Sequence, residues 1–552
     1  MYIKNNLVRC STLFLVFLIL SQFEQPYLAL NHKKIRKKST QDDKKPENLL
    51  KKVNSYNNPV FGEIVSLYSS NRFGPPVFQY SAKWNIEPFS GFHSSTRFFT
   101  EFAFYENSDY RTYIGNTSAQ IQRTDDLQYF AASLLRFDLY AKPNKSTFFR
   151  TSFSNILFFG ATNQTLPDRN VLIMLEEISV EYQPSKTFAI LLGRFYYKIQ
   201  EDGSNYVFSD FCNGVSLLLY PLPKLRLRLL LFDILSSETA YGQSPAYLLP
   251  VPSSTLMGNF KGDTKAIRMG GVFDSTSINS NYKVPWLFSV YGFFIKYGAV
   301  IGGTERSGLG AFGNQSDGDY LFFFGTRQKV LLGKLSLILE GAGSTGLDRK
   351  IYGFAGFTNE VYANGYLLML DVGSPLFFKA VPRSIWGLTF LYASGAEIDR
   401  YGNKRSYGFT SGVAEPIGGI LTGRFKGYHA GTIAGREGFH HNPYEPDRAS
   451  GVFYVKQNFE MEWKNILLKV SNHYFIDVTN SFYSVEPTID YNVPIGLESN
   501  VLISVALNKN LFITLAGGIF FPEEFLQYKK YTHLPAGHAP FYGLLFGVYL
   551  VF

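Results

Sequence analysis

Phe541–Phe552 (FYGLLFGVYLVF) decides how the rest of the chain is read. Counting back from Phe552, every second residue is large and apolar: Leu550, Val548, Phe546 and Leu544. The other register, Gly543, Leu545, Gly547 and Tyr549, is smaller or more polar on average. Period two places one register on each face of a strand. Such a strand either borders a buried soluble sheet or turns its apolar face toward lipid.

Composition separates the two readings. Aromatic residues make up 17% of the 552 residues, with 52 Phe and 37 Tyr, and there are 49 Gly. This fits a membrane sheet with aromatic girdles and tight turns better than an average soluble enzyme. Beyond the first thirty residues no apolar run reaches the length of about twenty that a helical span needs. Mean hydropathy is −0.05, as expected when strands alternate. A terminal strand that is apolar on one face and ends on an aromatic residue resembles the closing strand of bacterial outer-membrane β-barrels.

Lys4 and Arg9 precede the apolar core Ser11–Leu20 (STLFLVFLIL), the pattern of a secretory signal peptide over residues 1–30. Of the two cysteines, Cys10 falls in that leader, which leaves Cys212 without an intramolecular partner. The net charge of +9 is uneven: residues 1–52 hold 11 Lys/Arg against 4 acids, leaving 42 basic and 40 acidic residues elsewhere. The basic character therefore belongs to the leader and to a Lys-rich segment. Residues 31–76 read as a disordered periplasmic linker, and no nucleic-acid partner is expected.

Loop lengths count the strands. Short connections at Lys142–Ser146, Pro184–Lys186, Pro221–Pro223, Leu331–Gly333 and Asn508–Asn510 alternate with long polar ones such as Asn107–Leu127, Ser236–Thr264, Ala299–Gly318 and Glu397–Gly451. Outer-membrane barrels have short periplasmic turns and long extracellular loops. An all-β transmembrane antiparallel barrel over residues 97–552 with eighteen strands satisfies this parity, with sixteen and twenty as alternatives. Residues 77–96 are then an N-terminal segment outside the wall. A β-propeller would need a repeated blade motif, and none is found.

Alternation also divides the faces. A Lys or Arg facing lipid at the midplane costs about 2–4 kcal/mol, so charged registers must face a wet interior. This assigns to the lumen Arg97 with Glu101, Arg136 with Asp138, Arg150, Glu177 with Glu181, Arg194 with Lys198, Arg226 with Arg228, Lys334 with Glu340, Glu460 with Glu462, and Lys469 with His473. On Phe188–Ile199 the outward residues are then Leu191, Phe195 and Tyr197. With Ser185 and Lys186 as a two-residue turn, Glu177 faces Arg194 across neighbouring strands, an attractive pair. Mixed signs suit a channel for polar solutes.

Two stretches carry a family resemblance. Ile178–Leu219 holds a strand–turn–strand around Gly193-Arg194, followed by Phe211-Cys212-Asn213-Gly214-Val215. Ile495–Leu526 holds Gly496-x-Glu498, a tight turn, and Gly518-x-Phe520-Phe521-Pro522, with Asn500 where an acid is usual. Together, over about an eighth of the chain, they resemble the alginate-export family of outer-membrane porins. The resemblance implies an eighteen-stranded monomeric channel, and alginate exporters pass an anionic polysaccharide through an Arg-rich lumen. The near-neutral wall here argues against that substrate.

Signals for enzymatic chemistry are weak. The eight histidines lack metal spacing. Asp317-Gly-Asp319 lacks the further oxygen ligands of a Ca²⁺ loop, and no phosphate loop or nucleophile elbow occurs in a usable context. No metal, cofactor or catalytic activity is expected. The expected function is an outer-membrane channel in which inward-folded loops narrow a charged lumen, passing saccharide-like solutes or small organic anions by diffusion. The alternative is a surface adhesin with a closed pore. Loop 397–451 discriminates: it folds inward in a channel and stands outward in an adhesin. Expected partners are outer-membrane lipids, the polar solute and, through Phe552, the barrel assembly machinery.

Overall fold

The computed structural model describes residues 57–69, 91–106, 128–159, 171–198, 206–207, 209–222, 225–235, 267–279, 286–297, 320–352, 357–362, 364–376, 383–395, 397–398, 404–406, 408–409, 417–421, 451–478, 493–523 and 540–552. They form one helix, α1 (Pro59–Ser69), and twenty-one strands. The first eleven are β1 (Gly91–Glu106), β2 (Gln128–Lys142), β3 (Thr147–Phe159), β4 (Val171–Ser185), β5 (Phe188–Lys198), β6 (Ser209–Leu222), β7 (Leu225–Leu235), β8 (Ile267–Asn279), β9 (Trp286–Tyr297), β10 (Tyr320–Leu332) and β11 (Leu335–Tyr352). There follow β12 (Phe357–Tyr362), β13 (Gly365–Pro375), β14 (Arg383–Ala393), β15 (Glu397–Ile398) and β16 (Lys404–Ser406). The chain closes with β17 (Val452–Trp463), β18 (Ile466–Asp477), β19 (Val493–Ala506), β20 (Leu511–Pro522) and β21 (Phe541–Val551).

The strands pair antiparallel in chain order, with β11 passing to β13 and β14 to β17, until β21 pairs β1. The short strands β12, β15 and β16 stand outside this ring, so eighteen of the twenty-one make the wall. Closure leaves no edge with unpaired backbone groups, the condition for a sheet to cross lipid. Phe552 completes the seam: its N–H donates to Thr96 O at 2.8 Å, and Thr96 N–H donates to Phe552 O at 3.0 Å.

The two faces differ as a membrane wall requires. Leu135, Phe137, Leu192, Leu229, Leu231, Leu339, Leu515, Leu544 and Phe546 are exposed on the outside. Exposed aromatics gather toward both rims: Phe92, Trp286, Trp463 and Phe552 at the short turns, Phe104, Phe322, Tyr366 and Tyr542 at the long loops. This is a lipid-facing band with interfacial belts. No helix among the described residues is long and apolar enough to cross a membrane.

Short turns hold one rim. Gly333, with φ +60°, opens the two-residue link between β10 and β11, a conformation open to glycine at little cost. Lys334 completes that turn and is exposed there, so the expectation that it lines the lumen is corrected. A bulge between Tyr182 and Ser185 shifts the β4–β5 register, so that Ile178 faces Arg194. A one-residue slip moves every side chain of a strand to the other face. Phe195 and Tyr197 are thus buried inside, and Arg194 shares the outer register of exposed Ile178 and Leu192. The expected inward Arg194 and its pairing with Glu177 are both overturned.

Two boundaries also differ. β1 begins at Gly91 rather than residue 97, and a helix forms within the stretch expected to be a disordered linker. Asn58 caps α1, accepting from Val60 N–H at 3.1 Å, and Pro59 supplies a first helical residue with preset φ. Phe61 and Ile64 are fully buried, with the Phe61 ring edge-on to Phe512 at 5.7 Å. The rest of residues 31–76 lies outside the described residues.

Candidate functional site

The inner face of the wall is the candidate site. Alternation along β1 brings Arg97, Phe99, Glu101 and Ala103 to one buried register, while Phe98, Phe102 and Phe104 alternate with them. Pairing β1 with β2 puts Arg97 opposite Arg136, two like charges across a strand pair. Asp138, two residues along β2 from Arg136, resolves the conflict. It accepts from Arg97 Nη1 at 2.6 Å, from Arg136 Nε at 2.7 Å and from Ser152 Oγ at 2.6 Å.

Helix α1 enters this network. The Glu63 carboxylate accepts from Arg97 Nε at 3.0 Å and Nη2 at 3.1 Å, and from the Tyr549 hydroxyl at 2.7 Å. At the helix start, Asn57 and Asn58 N–H donate to Glu462 at 2.9 and 2.8 Å. A carboxylate is favoured there because the unpaired N–H groups and the helix dipole converge on it. The helix therefore sits in the lumen near the short-turn rim, held at its start by β17 and at its middle by β1 and β21.

Further round the wall the charges pair locally. Arg150 Nη1 meets Glu177 at 2.8 Å, its guanidinium over the Tyr140 and Phe148 rings at 5.9 and 5.6 Å. Glu181 is buried on the register of Glu177. Arg226 and Arg228 share the parity of buried Leu230 and Phe232, and the Arg228 guanidinium lies 5.2 Å from the Tyr197 ring centre. Arg327, directly across from Glu340, donates to it at 2.9 Å, and the Tyr291 hydroxyl adds a second bond at 2.7 Å. Glu460 takes Lys469 at 3.3 Å and Arg383 at 3.4 Å. His473 is buried with one ring nitrogen 2.7 Å from the Tyr454 hydroxyl and the other 2.9 Å from Ser471 Oγ. The side chain of Lys198 lies outside the described residues.

From the long-loop side, two short segments turn inward. Phe409 is fully buried, its ring 6.4 Å from that of Phe323 on the inner register. Ile417, Ile420 and Leu421 are buried, and Glu498 of β19 accepts from Gly419 N–H at 3.2 Å and Leu421 N–H at 2.7 Å. Tyr206 and Val207, from the connection before β6, are also buried, with Tyr206 edge-on to Tyr454 at 6.4 Å. Residues 408–409 and 417–421 of loop 397–451 thus fold inward.

Glu63, Arg327, Lys329, Arg383, Glu498 and Asn500 are buried or partly buried interior residues that the sequence reading did not select. Arg327 and Lys329 alternate with Phe324, Thr326 and Gln328 on β10 and were open to the parity argument. Glu63 was not, because nothing in Pro59–Ser69 says which surface the helix meets. Among the described residues no cluster of His, Cys, Asp or Glu could hold a metal ion.

No protein-family model matches the chain, so the alginate-export resemblance rests on the two quoted stretches alone. No curated protein matches it. Among solved structures it is similar to the outer-membrane protein OpdK of Pseudomonas aeruginosa, at 8% identity and TM-score 0.44 over 83% of this chain and 98% of that one. It is also similar to OccK2 (OpdF) of the same organism in complex with glucuronate, at 8% identity and TM-score 0.41 over 83% and 96%. A third is OprB of Pseudomonas putida, at 9% identity and TM-score 0.38 over 88% and 99%.

Proposed function

We propose that the protein is a porin-like channel of the bacterial outer membrane. It passes small polar solutes, saccharide-like or small organic anions, by diffusion through a narrowed lumen lined with charge. The observation that supports this reading is the inward fold of residues 408–409 and 417–421 onto a wall lined by Arg, Lys, Glu and Asp. An adhesin would instead present this loop outward, toward a partner. Both signs of charge on the wall suit a hydrated path, since each buried group that pairs locally needs no ion of its own from solution.

A monomer, assembly through Phe552 and a distant kinship with alginate-export porins belong to the same proposal, without alginate as substrate. Single-channel recording of the refolded full chain in a planar bilayer tests it. Small, resolvable conductance steps are expected. Silence from both the wild type and a variant lacking Pro59–Ser69 would overturn the channel in favour of a closed structural barrel.

A further inference from the structure

Eight short connections close one rim of the wall, and each of them carries a lysine. Lys145, Lys186, Lys334, Lys464 and Lys509 are exposed in the turns after β2, β4, β10, β17 and β19. Lys224, Lys283 and Lys379 fall in connections 223–224, 280–285 and 376–382. None of the eight connections contains Asp or Glu, whereas every long connection at the other rim contains at least one. Beyond residue 52 the chain is near neutral, with 42 basic and 40 acidic residues, so these lysines are sorted by rim and are not a general surplus.

Geometry puts the charge beside lipid. Leu222, Leu332, Trp463 and Leu507 are exposed one or two residues before a turn lysine. The Lys464 ammonium lies 5.0 Å from the Trp463 ring centre, and Trp463 shares the outer register of Phe459 and Met461. That charge therefore stands at the interfacial aromatic belt and not over the lumen, its stem on apolar surface and its head toward water. Among the described residues Lys464 is also the one non-glycine residue at positive φ, +52°. Glycine or asparagine takes that conformation at lower cost, and Asn465 is the other residue of the same turn. Lysine holds the position against the backbone preference, which favours a use for its side chain.

The spread around the rim selects the partner. A soluble protein would meet a patch on one side, and an anionic solute would meet charge gathered at the mouth. Lysines spaced through all eight connections instead match a partner that surrounds the barrel, the plane of lipid head groups. We propose that this ring binds anionic phospholipids of the leaflet at the short-turn rim, the ammonium groups pairing with head-group phosphates and fixing the depth of the barrel. The proposal rests on the barrel and goes beyond the permeation reading, and its test reads no conductance.

The test reconstitutes the full chain in mixed phosphatidylcholine–phosphatidylglycerol vesicles in which one lipid or the other carries brominated chains, and measures quenching of tryptophan fluorescence. Brominated phosphatidylglycerol should quench at a lower mole fraction than brominated phosphatidylcholine. A preference of roughly fivefold is expected, the factor that one lysine near an anionic surface carries. It should collapse in about 0.5 M salt, where screening shortens to a few ångströms. Replacing Lys145, Lys186, Lys464 and Lys509 together by Gln should remove most of it, and replacing the same four by Arg should keep it. The salt series and the Arg variant decide the matter if the Gln variant does not fold. Equal quenching by both lipids in the wild type, or an unchanged preference in a folded Gln variant, would overturn the ring. Retention of the wild type, but not the Gln variant, on isolated cell-wall glycan without any lipid preference would assign the lysines to the wall and overturn it equally.

Discussion

Asp138 is the residue on which the inner wall turns, because two guanidiniums meet across β1 and β2 and it alone of these three is negative. Asp138→Asn should destabilise the barrel by about 3–5 kcal/mol, the usual result of stripping one partner from a buried charge cluster, read as a fall in urea midpoint in detergent. Arg226 and Arg228 carry the clearest permeation prediction. Replacing both with Gln should move the reversal potential toward cations, by removing a positive field from the lumen, while Arg194→Gln should leave it unchanged. A shift in the Arg194 variant would show that the outer register of β5 had been misassigned. Alternation was legible along β5, but its phase depended on the bulge between Tyr182 and Ser185 at the end of β4, where Pro184 cannot donate to the ladder.

At the scale of elements, α1 and the inserted loop segments divide the lumen between them. Glu63 is the helix's fastening, with three hydrogen bonds to Arg97 and Tyr549. Glu63→Ala should loosen α1 and leave the Arg97 side chain with Asp138 and Ser95. Deleting Pro59–Ser69 should remove the helix's share of the obstruction, since a helix is about 10–12 Å across with its side chains. Single-channel conductance should rise in the order wild type, Glu63→Ala, deletion. An unchanged step size in the deletion variant would mean that the helix does not obstruct the path. The helix was illegible in the sequence because it is short and weakly patterned; its stability comes from Phe61, Ile64 and Glu63 meeting a surface made by distant strands.

Across the whole molecule, closure is the property that matters. Continuous backbone pairing around eighteen strands should resist detergent, so unboiled protein should migrate faster than boiled protein on a denaturing gel, with a β-dominated circular-dichroism spectrum. A single mobility, or a helical spectrum, would contradict the closed barrel. Phe552 sits at the seam, its backbone bonded to Thr96 and its ring outside. Deleting it should lower insertion into the outer membrane more than it alters the spectrum of the protein that does insert, measured by fractionation.

The sequence by itself determined the class of fold and the strand count. These follow from period-two alternation and loop-length parity, which each strand and connection carries locally. Glu460 and Glu462 on β17 carry that alternation. Only the tertiary structure decided the phase of β5, the place of α1, the inward turn of residues 417–421 and the buried amide of Asn500. Each depends on which distant backbone comes near: β4 across a bulge, β1 and β21 across the lumen, Gly419 over β19. Contacts of that sort arise from closure of the ring and have no periodic trace in the chain.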